Sequence, residues 1–307
     1  MIDSAQVATA QPPPLEAARA RPGRGFWRQS WDELSANGAG MAAAGVLVFL
    51  ILVAVTASLT SHLLTHYAPT AQDLNNPFSA PSRIHWFGTD ELGRDTLTRL
   101  VYGAQVTLGV GFLTVAIALT VGTAVALAAG YYGGLLDDVL MRVVDVVLAI
   151  PAVFLYILMA ILFRPTAITL AVIIASVGWA SLARLVRSEV LSLRTRDYML
   201  ATRSLGAGDL RLILRHLLPS LPLMIVAASL GLAQVVLIEA ALDFLGLGIQ
   251  PPTASWGNML SNAQVYFVHS TWLVVLPGTC IFITVLAANL FGNAIRDAFD
   301  PRLRGAA

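Results

Sequence analysis

Six apolar runs dominate the chain, and each is long enough to cross a bilayer. A helix needs about 20 residues to span the hydrocarbon core. Runs of that kind lie near 41–64, 104–130, 139–163, 167–187, 220–244 and 272–292. Composition agrees, with 57% of residues hydrophobic and 12% charged, about half the charge of a typical soluble domain. A soluble enzyme and a disordered protein are both excluded, and the expected fold is an all-α integral membrane protein. The net charge of +1 carries no signature of nucleic-acid binding. The single cysteine, Cys280, excludes an internal disulfide and a cysteine zinc site, and it reads as a packing residue.

The expected parts follow from the runs. Residues 1–38 are rich in Pro, Ala and Arg and read as a disordered tail. Residues 39–65 hold the first span, and 66–103 form a segment with an elbow helix. Five spans occupy 104–292, interrupted by loops 188–219 and 245–271, and 293–307 form a tail. Pro151 inside the third run implies a kink. Arginine favours the cytoplasmic side. Fifteen of the 19 arginines fall on the side of the two termini and loop 188–219, and four (Arg83, Arg94, Arg99, Arg164) on the other. Both termini and loop 188–219 are therefore expected in the cytoplasm, with 66–103 and 245–271 outside.

Loop 188–219 is the sharpest local feature. Tyr198, Ala201, Thr202 and Leu205 recur at helical spacing. Gly206 suits the left-handed turn that ends a helix, and Asp209 suits the N-cap of a second one. Leu210, Ile213, Leu214, Leu217 and Leu218 then make an apolar stripe with Arg211 and Arg215 off it, and Pro219 stops the helix. Two short amphipathic helices around a glycine elbow fit a docking element or, equally by periodicity, an interfacial pair lying on lipid.

Several polar groups carry candidate roles. Glu239 and Asp243, one turn apart near the end of the fifth run, are candidates to line a translocation path or to relay protons. Asp95 suits the cap of the second span, and Arg94 and Arg99 are expected to pair with Asp90, Glu91 or Asp95. Asp137, Asp138 and Asp145 read as solvated, with Arg142 as a pairing partner. His85 and Asp90 share a spacing with acyltransferases, and His62 and His66 share a helix face. Bland readings outweigh catalysis and metal binding at both places.

The 197–219 segment resembles the coupling motif of ABC importer permeases: Glu-Ala-Ala, three residues, Gly, nine residues, Ile-x-Leu-Pro. Ala201, Gly206, Leu218 and Pro219 match, while Leu200, Thr202 and His216 replace the usual Glu, Ala and Ile. Three further blocks resemble the second permease subunit of dipeptide, oligopeptide, glutathione and nickel importers. These are His85 to Asp95 with Arg99 and Tyr102-Gly103, then Phe244 to Pro252 with Ser255-Trp256-Gly257, and Arg296 to Arg302. Asp243 stands where Ser is usual and Asn293 where Asp is usual.

The resemblance implies the type I importer permease fold with six transmembrane helices in the bacterial cytoplasmic (inner) membrane. It also implies a binding-protein-dependent transport role for di- or oligopeptides or a related small solute. The implied partners are a second homologous permease, two ATPase subunits, an external substrate-binding protein and membrane lipid. Tyr198, Leu200, Ala201, Thr202, Leu205, Gly206, Ala207, Asp209, Arg215, His216, Leu218 and Pro219 would form the ATPase-coupling loop. Gly246, Gly248, Gln250, Pro251, Pro252 and Trp256 would lie at the external mouth on the binding-protein side. This chain would be no enzyme and bind no cofactor. A phosphate-binding loop needs a lysine, and the chain has none, so ATP and Mg belong to the partners. The competing expectation is a stand-alone proton-coupled secondary transporter using Glu239 and Asp243.

Overall fold

The computed structural model describes residues 26–220 and 223–299. Among them the regular structure is helical, apart from one isolated β-bridge between Thr89 and Asp95. Residues 1–25 of the expected tail and 300–307, with Arg302 and Arg304, lie outside the described residues.

The chain enters through α1 (Phe26–Ala36), an amphipathic helix packed on the last helix, where a disordered tail is expected. Asn37 then caps α2 (Gly38–Val55) by accepting from the Gly40 amide at 2.9 Å. The first span is not one rod. Thr56 Oγ1 donates to the Leu52 carbonyl at 2.6 Å, and the helix breaks there before α3 (Ala57–Thr60) and a π-turn over Ser61–Thr65. His66 closes that turn in the left-handed region, at φ 59°. Residues 66–95 are turns; the expected elbow helix is absent as a separate element. Its place is taken by the start of α4 (Thr96–Tyr132), capped by Asp95 through the Thr98 amide at 2.7 Å.

Between α5 (Gly134–Ala149) and α6 (Ala152–Leu162) the third span bends by 84°, which is more than the expected kink. Proline lacks an amide donor and drives the residue before it to extended backbone. Ile150 adopts that conformation, with ψ 128°. Then α7 (Ala167–Leu193) starts from a reciprocal capping box between Thr166 and Thr169. It extends into the expected loop 188–219. The loop itself carries α8 (Asp197–Ser204) and α9 (Asp209–Leu212), then a π-turn over Ile213–Leu217 and a 3₁₀ turn at Leu218–Ser220. The last spans are α10 (Leu223–Phe244) and α12 (Trp272–Phe299), which extends past the expected end at 292. Between them α11 (Trp256–Val265) is a helix inside the expected loop 245–271, again with a capping box, Ser255 with Asn258. Among the described residues five helices are long and apolar enough to span a membrane, six when the bent α5–α6 pair is taken as one span.

Packing sets the order of the spans. α4 and α7 run parallel at the centre, Thr114 bonding the Ala171 carbonyl and Gly130 lying against Val190. They approach through glycine: a Cβ on Gly122 would meet the Trp179 carbonyl at 2.8 Å, and one on Gly130 would meet Val190 at 2.8 Å. Small residues let backbones approach where lipid supplies no hydrophobic drive between helices. α10 runs antiparallel to α4, with Gly111 against Leu232 and Thr107 bonded to Glu239. α12 packs on α10 at Gly292 and on α2 at Gly40. The start of α2 and the end of α12 therefore share one end of the bundle with α8 and α9, the loop end. Residues 66–95 and 245–271 form the far end. Large apolar side chains such as Val48, Phe49, Phe154, Ile161 and Phe282 stay exposed around the bundle, as lipid-facing side chains do.

Candidate functional site

At the loop end, α8, α9 and the π-turn after them are fastened by three inward side chains. Met199, Leu212 and Leu217 are buried with Ala126, Leu127, Val186, Val190 and Leu193 at the ends of α4 and α7. Two polar links add to this: Tyr131 donates to Asp209 Oδ1 at 2.6 Å, and Arg194 donates to the Gly130 carbonyl at 2.8 Å. A cavity of about 370 Å³ lies beneath, lined by Tyr131, Tyr132, Arg194, Leu200 and Arg203 among others. Gly206 makes the elbow at φ 86°, a conformation unfavourable to any side chain.

The outward face of this pair is apolar. Leu205 is 87% exposed and Leu210 70%, and Tyr198, Leu200 and Leu214 are exposed beside them. Of the other expected loop residues, Ala201, Arg215 and Pro219 are exposed, while Thr202, Ala207, His216 and Leu218 are half-buried. The helical stripe Tyr198, Ala201, Thr202, Leu205 thus turns away from the bundle, and Met199 makes the contact. The second expected stripe splits: Leu217 is buried, Leu210 and Leu214 face out, and Leu212 goes inward. The π-turn over Ile213–Leu217 is the reason, since its extra residue per turn shifts the phase of a 3.6-residue count. Asp209 is not the N-cap of α9. Gly208 holds that position, and Asp209, one residue on, accepts from Tyr131.

Two ion pairs brace the same end. Arg187 holds Asp137 at 2.5 Å and Arg184 holds Asp145 at 2.5 Å. The expected partner of these aspartates was Arg142. Antiparallel packing of α5 on α7 presents the arginines of α7 instead.

At the far end, Asp90 is the hub. It accepts from Arg94 Nε at 2.6 Å and faces Arg99 Nε at 3.3 Å, while Arg94 also reaches Glu91 at 2.6 Å. The arginines are paired as expected, by Asp90 and Glu91 and not by Asp95. Asp95 caps α4 and takes His85 Nδ1 at 3.0 Å. His85 therefore does not work with Asp90, and its ring stacks on Tyr67. Asp73 in this segment accepts from Asn75 and Asn76, and these bonds lower its carboxyl below the usual range. Among the described residues no three His, Cys, Asp or Glu side chains come together as a metal set.

Asp243 organises the 245–258 turn. It accepts the Ile249 amide at 2.5 Å and the Ser255 hydroxyl. A Cβ on Gly257 would meet the Asp243 Cβ at 2.6 Å, so only glycine lets the turn close on this carboxyl. Gln250 donates to the Gly246 and Gly248 carbonyls at 2.9 and 3.0 Å. Gly246, Gln250, Pro251 and Pro252 lie on the surface of this end. Gly248 and Trp256 do not: both are buried, and Trp256 Nε1 donates to the Leu100 carbonyl at 2.9 Å. Tight packing of α11 on α4 and α10 draws them inward.

A hollow of the membrane region lies elsewhere. α4, α6, α7 and α10 enclose a concave face of about 450 Å³, lined by Thr114, Tyr156, Ser181, Gln234 and Ile238 with aliphatic side chains around them. Glu239 and Asp243 point away from it, into the α4–α10–α11 interior, where both are buried. Neither lines this concave face. Gln234 is the signal that the sequence offered for the concave face, a polar side chain in mid-span.

Comparison with known proteins agrees with this architecture. Residues 25–81 match the N-terminal TM domain of oligopeptide transport permease C. The dipeptide transport system permease protein DppC of Alkalihalophilus pseudofirmus is 39% identical over 91% of this chain and 90% of its own. The glutathione transport system permease protein GsiD of Pectobacterium atrosepticum is 35% identical over 92% of each chain. The oligopeptide transport system permease protein OppC of Bacillus subtilis is 33% identical over 91% of this chain and 90% of its own. With residues 98–305 also matching its model, the chain belongs to the family of binding-protein-dependent transport system inner membrane components.

Proposed function

We propose that this chain is one of two permease subunits of an ATP-driven importer that passes peptides across the cytoplasmic membrane. The observation that carries the reading is the paired character of the 197–219 segment: rigidly anchored on its inner side, apolar and uncovered on its outer side. An apolar face of this kind calls for a protein partner. Its occupant is a groove on an ATPase subunit, which binds ATP and Mg; this chain itself is no enzyme. When ATP closes the ATPase pair, α8 and α9 move as one body, and the contacts to α4 and α7 pass that motion to the spans.

The concave face supplies this subunit's half of the path, and a second permease of similar fold supplies the other half. Arginine distribution supports cytoplasmic termini and a cytoplasmic 197–219 segment, with the Asp90 hub and the 245–258 turn outside. The outer surface at Gly246, Gln250, Pro251 and Pro252 is where an external substrate-binding protein would deliver its load. Peptide substrates follow from the names of the relatives.

Purification of the tagged chain from its native membrane in mild detergent tests this reading. A second six-span chain and two ATPase chains should co-purify, and proteoliposomes of the assembly should take up peptide only with ATP and the binding protein. Uptake by this chain alone, driven by a pH gradient and blind to ATP, would overturn it.

A further inference from the structure

Two kinds of glycine occupy the spans. Gly111, Gly122, Gly130 and Gly292 serve packing: a Cβ on any of them would come within 2.8 Å of a neighbouring helix. Gly178 on α7 and Gly231 on α10 are different. A Cβ on Gly178 would meet the Ala118 Cβ at 3.9 Å, and one on Gly231 the Val115 Cγ2 at 3.7 Å, both ordinary contacts. Neither glycine has a positive φ. The fold therefore has room for a side chain at both positions, and alanine is the more stable residue inside a helix. Both glycines line the concave face; Gly45, Gly109 and Gly278, which also have room, do not.

Polar groups stand beside them. Gly178 lies three residues before Ser181, and Gly231 three before Gln234, so each pair shares a helix face on the hollow. Tyr156 of α6 lines the same hollow and is only 6% exposed. The hydroxyls of Tyr156 and Ser181 and the amide of Gln234 bond no other described residue. At membrane depth an unpartnered polar group is costly, so the three call for a polar ligand. Each both donates and accepts, as does every non-proline residue of a peptide main chain. No charged side chain lines the hollow, so this wall offers no counter-ion to a peptide's ends.

We propose that Gly178 and Gly231 determine which peptides pass: left bare, they make room for peptide side chains while Tyr156, Ser181 and Gln234 hold the main chain. Main-chain bonding is indifferent to sequence, so the limit that this wall sets is one of bulk. The inference rests on the peptide-path reading given above.

Uptake of triglycine and trileucine by the complete assembly in proteoliposomes tests it, with Gly178→Leu and Gly231→Leu beside the wild type. The binding protein is the same in every assembly, so its preference cancels in the ratio of variant to wild type. Both variants should lose trileucine uptake and keep triglycine uptake. Should either fail to fold, Gly178→Ala and Gly231→Ala decide alone: their melting temperatures should hold or rise, while trileucine uptake falls relative to triglycine. Equal uptake of trileucine by variants and wild type overturns the proposal, as does an equal loss of both peptides. A lower melting temperature in the alanine variants overturns it too, since the glycines would then serve packing. Loss of the co-purifying second permease from those variants does the same, and would make this face a contact between subunits. A wild-type assembly that takes up neither peptide with ATP overturns the importer reading and this inference with it.

Discussion

The Tyr131 hydroxyl donates to Asp209 Oδ1 at 2.6 Å, across 78 residues of sequence. This bond ties the end of α4 to the start of α9, and so joins the central span to the segment that faces outward. It sits at the rim of the buried contact made by Met199, Leu212 and Leu217.

Tyr131→Phe removes the bond and keeps the ring. A hydrogen bond at a rim contributes about 0.5–1 kcal/mol, so the chain should insert and fold normally. Hydrogen exchange in 197–212 should quicken, and peptide uptake per ATP hydrolysed should fall. Unchanged exchange would show that apolar contacts alone hold the segment.

Leu205→Asp tests the outward face. The side chain is exposed, and surface substitutions usually change stability by within about 0.5 kcal/mol. The melting temperature should stay, while co-purification of ATPase subunits should drop. Retention of the ATPase chains at wild-type level would remove Leu205 from the docking surface.

Gly206→Pro attacks the elbow. Proline cannot adopt φ 86°, so the α8–α9 turn must rearrange. Insertion of the spans should survive, because the elbow is exposed, and uptake should be lost with residual ATP hydrolysis uncoupled from it. Normal peptide uptake in this variant contradicts the coupling role.

Asp90→Ala strips Arg94 and Arg99 of their shared partner. Removing one member of a buried ion pair costs about 3–5 kcal/mol, and Arg99 is fully buried. The expected result is a large fall in melting temperature of the detergent-solubilised chain. Asp137→Ala, whose partner Arg187 is partly exposed, should shift it far less.

Gln234→Trp fills the concave face. Peptide uptake should fall sharply while assembly with the ATPase subunits persists. Glu239→Gln, which lies off that face, should leave uptake at neutral pH near the wild-type level.

Much of the architecture is legible along the chain because its causes are local. Apolar length sets the spans, Asp95 beside Thr98 sets the start of α4, and Gly206 sets the elbow. The concave face was not legible: Thr114, Tyr156, Ser181 and Gln234 come from four helices, and no periodicity within one helix reports their meeting. The helix α1 was hidden by the Pro- and Arg-rich composition around it, and α11 by the loop signals on either side.

Sequence by itself determined that this chain crosses a membrane several times and which loop carries two short helices around a glycine elbow, since hydrocarbon thickness and backbone hydrogen bonding leave few alternatives. Tertiary structure alone decided which polar groups face what. Glu239 and Asp243 turn inward because α10 packs that face on α4 and α11, and Asp137 and Asp145 find Arg187 and Arg184 because α5 lies antiparallel to α7. Helical spacing says which residues share a face; only the packing of neighbouring helices says whether that face meets protein, lipid or the solute's path.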